Sequence, residues 1–310
     1  MSIEYRSNDS PFRVPCAAVI RSKVLMAVRD FFHGRGYIEV ETPVRIEAPP
    51  PELHIDAEPC GNGYLRTSPE LHMKRLLAEG YGRIFQMGPC FRRGEKGPFH
   101  NPEYTMLEWY RCDADYMDML RECRKLLIHV CRKVLGSPVL NCRSQKIHLA
   151  RNWNVITVNK AFRNAAGWDP ITSFDPDRFD VDLVTKVIPS FPADVPTVIK
   201  DYPAETAAMA RCGRPPQGTA ERLEVFAGGL ELANAFSELT DPAEQKARFR
   251  QWRAERRRAG RDIYPEDTLF LAAMESGLPP SAGTALGVDR LVMLAADCLS
   301  IDMVRAFTEG

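Results

Sequence analysis

The segment FRRGEKGPFHNPEY, residues 91–104, places Arg92, Arg93, Gly94 and Glu95 a few residues before His100 and Asn101, between two apolar runs. A guanidinium grips phosphate through two parallel charged hydrogen bonds, so Arg92 at a strand end is a candidate phosphate clamp. Gly94 and Gly97 would let the loop close as a lid, although the stretch taken alone also reads as a solvated hairpin tip. In the strand that follows, Met106, Glu108 and Tyr110 share one face by two-residue alternation, and Thr105, Leu107 and Trp109 share the other. A carboxylate beside a phenol on a sheet face suits a cationic, partly apolar ligand.

A second stretch, ERLEVFAGGLELANAFSELTD (221–241), spaces Glu224, Glu231 and Glu238 seven apart. Across a tight turn Glu224 and Glu231 can approach on paired strands, and two carboxylates near a polyphosphate are a common way to hold Mg²⁺. Without a cation between them they would repel. Glu231 and Glu238 differ by an odd offset and face opposite sides of a straight strand, so a bend or bulge near Asn234 is required if both serve one pocket. A third stretch, GTALGVDRL (283–291), offers Gly283 and Gly287 for close backbone approach. Arg290 lies near the positive end of the helix that follows, where phosphate is favoured.

The elements that must position these groups are readable from periodicity. Apolar residues at Ile20, Val24, Val28, Phe31 and Phe32 predict an amphipathic helix ending at Gly34 and Gly36. Residues 53–60 and 64–67 flank Gly61-Asn62-Gly63 as a hairpin, and Ser68-Pro69-Glu70 opens a helix with a capping serine and proline at its first position. Strands are expected at 84–92 and 104–111, a helix at 116–135, and a hairpin at 223–226 and 230–233. A basic helix is expected at 248–261, and a strand-to-helix passage at 283–296. Residues 137–220 read as a less regular, proline-rich insertion with one strand at 197–200. Strand pairs joined by tight turns and interspersed with helices favour the α+β class, an antiparallel sheet with helices on its faces. Residues 1–15 read as a flexible N-terminus, and 16–310 as one catalytic domain.

Composition narrows the classes further. The chain has 310 residues and 41 basic against 41 acidic side chains, so net charge points to neither nucleic acid nor membrane. Nine cysteines form no C-x-x-C pair, which argues for free thiols rather than a zinc ribbon or a disulfide framework. No apolar run reaches the ~20 residues of a membrane span. A cytoplasmic protein is expected. The run from Arg248 to Arg261 holds seven arginines in fourteen residues; it reads as a solvated face, with an acidic partner as the alternative.

Taken in order, TSPELHMKRL (67–76), HNPEYTMLEWYR (100–111), ELANAFSELTD (231–241) and ALGVDRLVML (285–294) resemble the catalytic domain of class II aminoacyl-tRNA synthetases of the lysyl type. They are most similar to the truncated paralogues that ligate lysine to elongation factor P. Residues 16–46, with Pro43, resemble motif 1, residues 84–111 motif 2 and residues 283–294 motif 3. The resemblance implies a six-stranded antiparallel sheet flanked by helices, and a homodimer formed through motif 1. It also implies ATP held by Arg92 and Arg290, with Arg93, Gly94, Glu95, His100, Asn101, Leu232 and Gly287 around the nucleotide. Glu224 and Glu231 would hold Mg²⁺, and Ser68, Pro69, Glu70, Glu108, Tyr110, Glu238 and Ala285 would enclose the amino acid.

Three departures from the lysyl pattern stand out. Phe91-Arg92-Arg93-Gly94-Glu95 replaces Phe-Arg-Asn-Glu or Phe-Arg-Asp-Glu, Ala235 replaces a common glycine, and Ala285 stands where lysyl enzymes carry glycine. The resemblance implies a preference for (R)-β-lysine over α-lysine. The first catalytic helix arrives by about residue 16, leaving no room for an anticodon-binding barrel, so tRNA is not the expected acceptor. A minimal tRNA-charging enzyme and a silent amino-acid sensor are the competing readings.

Overall fold

The computed structural model describes residues 16–142, 145–213 and 217–307; the segment 1–15, expected to be flexible, lies outside them. Helix α1 (Cys16–His33) buries Val24, Ala27, Val28, Phe31 and Phe32, spaced to form one face. Gly36, at φ 71°, turns the chain out of the helix. Strand β1 (Ile38–Glu39) follows, and then a small three-stranded sheet of β2 (Arg45–Ile46), β3 (Pro59–Cys60) and β4 (Gly63–Leu65), whose β3-β4 turn is the expected hairpin. In α2 (Glu70–Ala78) the cap differs from expectation. Pro69 is itself the N-cap, and Ser68 Oγ accepts the Glu70 N–H at 3.0 Å.

Strands β5 (Arg83–Phe91) and β6 (Glu103–Cys112) pair antiparallel around the charged loop. The 20-residue helix α3 (Tyr116–Leu135) starts at a reciprocal Asp115/Asp118 cap and stops at Gly136, which is left-handed at φ 75°. The expected irregular insertion is largely ordered into elements. It contains the hairpin of β7 (Val139–Cys142) and β8 (Gln145–His148), β9 (Asn154–Thr157), helices α4 (Val158–Ala166) and α5 (Pro176–Asp182), and β10 (Thr197–Pro203). Phe162, Phe179 and Tyr202 give it an apolar cluster of its own, with the two phenylalanine rings stacked at 4.7 Å. After it come β11 (Thr219–Ala227), β12 (Leu230–Ser237), α6 (Pro242–Arg258), α7 (Thr268–Glu275), β13 (Ser281–Gly287) and α8 (Val288–Ala296). Helix α7 was not anticipated, although Asp267 caps it by accepting the Phe270 N–H at 2.9 Å.

The main sheet has eight strands in the order β1-β5-β6-β13-β12-β11-β10-β9 and is mixed, where six antiparallel strands were expected. The inner six do run antiparallel; β1 on β5 and β9 on β10 are parallel additions at the two edges. The count of six was what the family resemblance implied; β1 and β9, two and four residues long, add to it through long-range parallel pairing.

One face of the sheet packs on α1, α3 and α8 through a single large core that includes Leu107 and Trp109. Phe32 stacks on Phe85 at 4.7 Å and tilts against Trp109 at 5.3 Å. The opposite face, bearing Glu108 and Tyr110, is left for α2, α7 and a cavity. Trp109 is fully buried, so Trp109→Ala is expected to lower unfolding free energy by ~3–5 kcal/mol, measured by urea denaturation. A loss under about 1 kcal/mol would show that this face is not the core.

Candidate active site

The two hairpins and β13 bring the charged stretches to one cavity of about 590 Å³. Of the residues singled out above, Ser68, Glu70, Arg92, Gly94, Glu95, His100, Asn101, Glu108, Glu224, Glu231, Leu232, Ala285, Gly287 and Arg290 line it. Tyr110 and Glu238 lie behind its wall, 3% and 0% exposed. Pro69 acts as a helix cap, and Arg93 turns away to pair with Asp262 at 2.6 Å.

Parity along β12 is resolved by a bulge. Val225 pairs with Ala233 but Phe226 pairs with Glu231, so Leu232 is the extra residue. The bulge sits two residues earlier than expected, and it places Glu231 on the face shared by Asn234 and Phe236, which also line the cavity. On β13, Ala285 lies between Glu108 and Asn234 in register and lines the cavity with Gly287. Gly283, expected to admit a ligand, instead admits the Tyr110 ring: a Cβ there would fall 2.3 Å from Tyr110 Cε1 and 2.6 Å from Glu238 Oε1.

At one end of the cavity the charges are acidic. Ser68 Oγ donates to Glu108 Oε1 at 2.6 Å and the Tyr110 hydroxyl donates to Oε2 at 2.8 Å. Lys74, missed in the sequence, is 1% exposed and puts its ammonium 2.6 Å from both Glu70 Oε1 and Glu238 Oε2. Glu238 Oε1 accepts no hydrogen bond. Burial, followed by the negative charge of Glu70, pushes Glu108 up to about 7. Glu238 is also pushed up, first by burial, while the carboxylates on either side hold the Lys74 proton more tightly despite its burial. Three carboxylates therefore face one ammonium, and a second cation would relieve the excess. The signal for Lys74 was its i+4 spacing from Glu70 on α2.

At the other end the charges are basic. Arg92 lies 3.7 Å from Glu95 and over the Tyr104 ring at 5.4 Å, and its Nε has no hydrogen-bond partner. Arg290 Nη1 donates to the Glu231 carbonyl at 2.7 Å and lies 3.5 Å from its Oε2, while Nη2 meets His100 Nε2 at 2.8 Å. Burial, then Arg290, lowers the His100 pKa and keeps the ring neutral. Helix α8 begins at Gly287 without a side-chain cap, and Gly287, Asp289 and Arg290 from its first turn line the same hollow. Next to Arg290, Asp289 is held by Arg21 and by the Thr105 N–H. The loop carrying Arg92 is tied down: Gly97 and His100 exchange backbone hydrogen bonds, and the Arg93 N–H donates to the Asp56 carbonyl at 2.8 Å.

Glu224 stands opposite Asn234 across the hairpin, and Arg222 Nη2 donates to it at 2.6 Å. Burial, then the charge of Glu231, raises its pKa, and Asn234 Oδ1 is buried without a partner. Two mutually repelling carboxylates and an orphaned amide oxygen fit a divalent cation whose remaining ligands are phosphate oxygens and water. Among the described residues no group of three or more His, Cys, Asp and Glu side chains forms a self-sufficient metal cage.

The basic run on α6 is not a uniformly solvated face. Arg256 is fully buried and donates to the carbonyls of Glu52 and Ile55 and to Asp56 Oδ1, at 2.7, 3.0 and 2.7 Å. Arg248 donates to the carbonyls of Ala208 and Ala210. Among the described residues no cysteine pair forms a disulfide, and no helix is long and apolar enough to cross a membrane.

This fold and site define a class II synthetase architecture. The chain matches the family described as tRNA synthetases class II (D, K and N) over residues 13–309 and belongs to it. Within that family it groups with proteins named elongation factor P–(R)-β-lysine ligase. It is 38% identical over 306 residues to the one from Vibrio parahaemolyticus, covering 93% of this chain and 94% of that protein. It is 39% identical over 307 residues to that of Klebsiella pneumoniae and 37% identical over 320 residues to that of Proteus mirabilis, covering 93% of both chains in each case.

The raised pKa of Glu108 has a definite sign. Its contribution to stability is full below the unfolded value near ~4.3 and is lost as pH rises through about 7. His72, His100 and His129, whose pKa values are lowered, act in the opposite direction, so the comparison must be with Glu108→Gln. Between about pH 5 and pH 8 the Tm of the wild type should fall relative to that of Glu108→Gln; parallel Tm curves in a thermal melt series would contradict the buried acid.

Proposed function

We propose that the protein is an ATP-dependent ligase that activates (R)-β-lysine as its adenylate and transfers it to a lysine ε-amine of elongation factor P. The observation that carries this reading is the division of one cavity into an acidic end with a surplus of carboxylates over ammonium and a basic end built from Arg92, Arg290 and the α8 N-terminus. An amino acid with two ammonium groups suits the first and a triphosphate the second. The relatives named above support the acceptor and the β-isomer.

In the first step a carboxylate oxygen of the amino acid attacks the α-phosphorus of ATP, and the bond to the bridging oxygen breaks with its electrons leaving on pyrophosphate. Arg92, whose Nε is free to donate, is assigned to the α-phosphate. Arg290 is assigned to the γ-phosphate, held in place by the Glu231 carbonyl and neutral His100. Glu224 and Glu231 would hold Mg²⁺, which supplies charge neutralisation on the triphosphate when bound. Glu70, Glu108 and Glu238 orient the amino acid through its ammonium groups, with Ser68 and Tyr110 fixing the Glu108 carboxylate. In the second step the acceptor amine displaces AMP from the acyl carbon. A homodimer through the α1 side fits Met26 and Ile38, which are 65% and 52% exposed, and the cytoplasm is the assigned compartment.

The test is incubation with ATP, Mg²⁺, each lysine isomer and either elongation factor P or tRNA. Intact mass should show one lysyl addition to the protein; label on tRNA, or no pyrophosphate exchange, would overturn the reading. Arg92→Ala should lower pyrophosphate exchange by ~10²–10³-fold. Ala285 lies in register between Glu108 and Asn234, so its methyl shapes the acidic end. Ala285→Gly should move selectivity toward α-lysine by ~1–3 kcal/mol in kcat/KM, and unchanged selectivity would remove Ala285 from the argument.

A further inference from the structure

The transfer step has a requirement that the residues described so far do not meet. A lysine ε-amine has a pKa near ~10.4, so at neutral pH nearly all of it is the non-nucleophilic ammonium. A general base must take that proton at the acyl carbon. Of the seven carboxylates among the described residues that line the cavity, six have the partners given above. Glu52 alone forms neither an ion pair nor a side-chain hydrogen bond among the described residues. His100, the one histidine among the described residues lining the cavity, is engaged with Arg290.

We infer that Glu52 is the general base for the incoming acceptor amine, an inference that rests on the ligase reading above. It lies within electrostatic reach of Arg92 on the phosphate side and of Glu70 and Lys74 on the amino-acid side, which is the junction an acyl phosphate would span. Its backbone is fixed rather than loose, because buried Arg256 donates to its carbonyl and to that of Ile55, while Arg256 and Arg261 both hold Asp56. Burial, followed by the charge of Glu70, raises its affinity for a proton, the direction that favours a general base. The acceptor ammonium gives one proton to the Glu52 carboxylate. The freed lone pair forms the C–N bond, the C–O bond to phosphate breaks with its electrons leaving on AMP, and the second N–H proton passes to the departing phosphate oxygen.

The experiment compares wild type, Glu52→Gln and Glu52→Asp, as full-length protein with ATP, Mg²⁺ and (R)-β-lysine. Pyrophosphate exchange reports activation, and single-turnover modification of elongation factor P reports transfer. For Glu52→Gln the ratio of transfer to exchange should fall ~10²-fold or more, with Glu52→Asp between it and the wild type. Hydroxylamine, already neutral at pH 7, should intercept the bound adenylate with no comparable loss. The inference is overturned if exchange falls in step with transfer, if the ratio is unchanged, if hydroxylamine capture falls equally, or if Glu52→Gln matches Glu52→Asp. Absence of exchange in the wild type would instead defeat the ligase reading itself.

Discussion

An ammonium buried between two carboxylates sets the electrostatics of the acidic end. Lys74 is taken out of water on α2 and compensated by Glu70 on its own helix and by Glu238 at the end of β12. Removing Lys74 would leave two buried carboxylates facing each other with no cation between them, a costly arrangement. The pairing thereby holds α2 against the sheet at the point where the cavity begins. It also leaves Glu108 and the unpartnered oxygen of Glu238 as an uncancelled negative field, and the field selects for cations before any shape discrimination operates.

The sheet supplies the second constraint, geometric rather than electrostatic. Three strands, β6, β13 and β12, mostly alternate residues between the cavity and the core, with Leu286 touching both, so the site is the reverse side of the packing that stabilises the domain. Glu108 and Tyr110 alternate with Leu107 and Trp109, and Ala285 alternates with Leu286 and Thr284. The bulge at Leu232 shifts the alternation on β12, and through it Glu231 reaches the basic end while Asn234 and Phe236 still face the same hollow. Close fit demands the smallest side chain where Tyr110 crosses β13, hence Gly283.

Arginines on α6 show how a compositional signal can mislead. Seven arginines in fourteen residues read as a solvated stripe, yet Arg256 is among the most buried side chains and holds the loop containing Glu52 through three hydrogen bonds. A guanidinium with several fixed donors can satisfy several carbonyls at once, which makes it a suitable buried brace for a loop without secondary structure.

Sequence alone determined the elements whose signals are local. Periodic apolar residues fixed α1, α3 was read over the bounds it adopts, Gly61-Asn62-Gly63 and Gly228-Gly229 fixed two hairpins, and the alternation of Glu108 and Tyr110 with Leu107 and Trp109 separated pocket from core. The motif order indicated the family and most of the residues that line the cavity. Tertiary structure decided what depends on long-range pairing: the parallel edge strands β1 and β9, the ordering of the insertion, the position of the bulge, the departure of Arg93 toward Asp262, the partners of Lys74 and Arg256, and the placement of Glu52 on the cavity wall. The physical reason is that helix and turn preferences act over a few residues, whereas the state of a charge is set by whatever the fold packs against it, and that neighbour can be more than 150 positions away, as Glu238 is from Lys74.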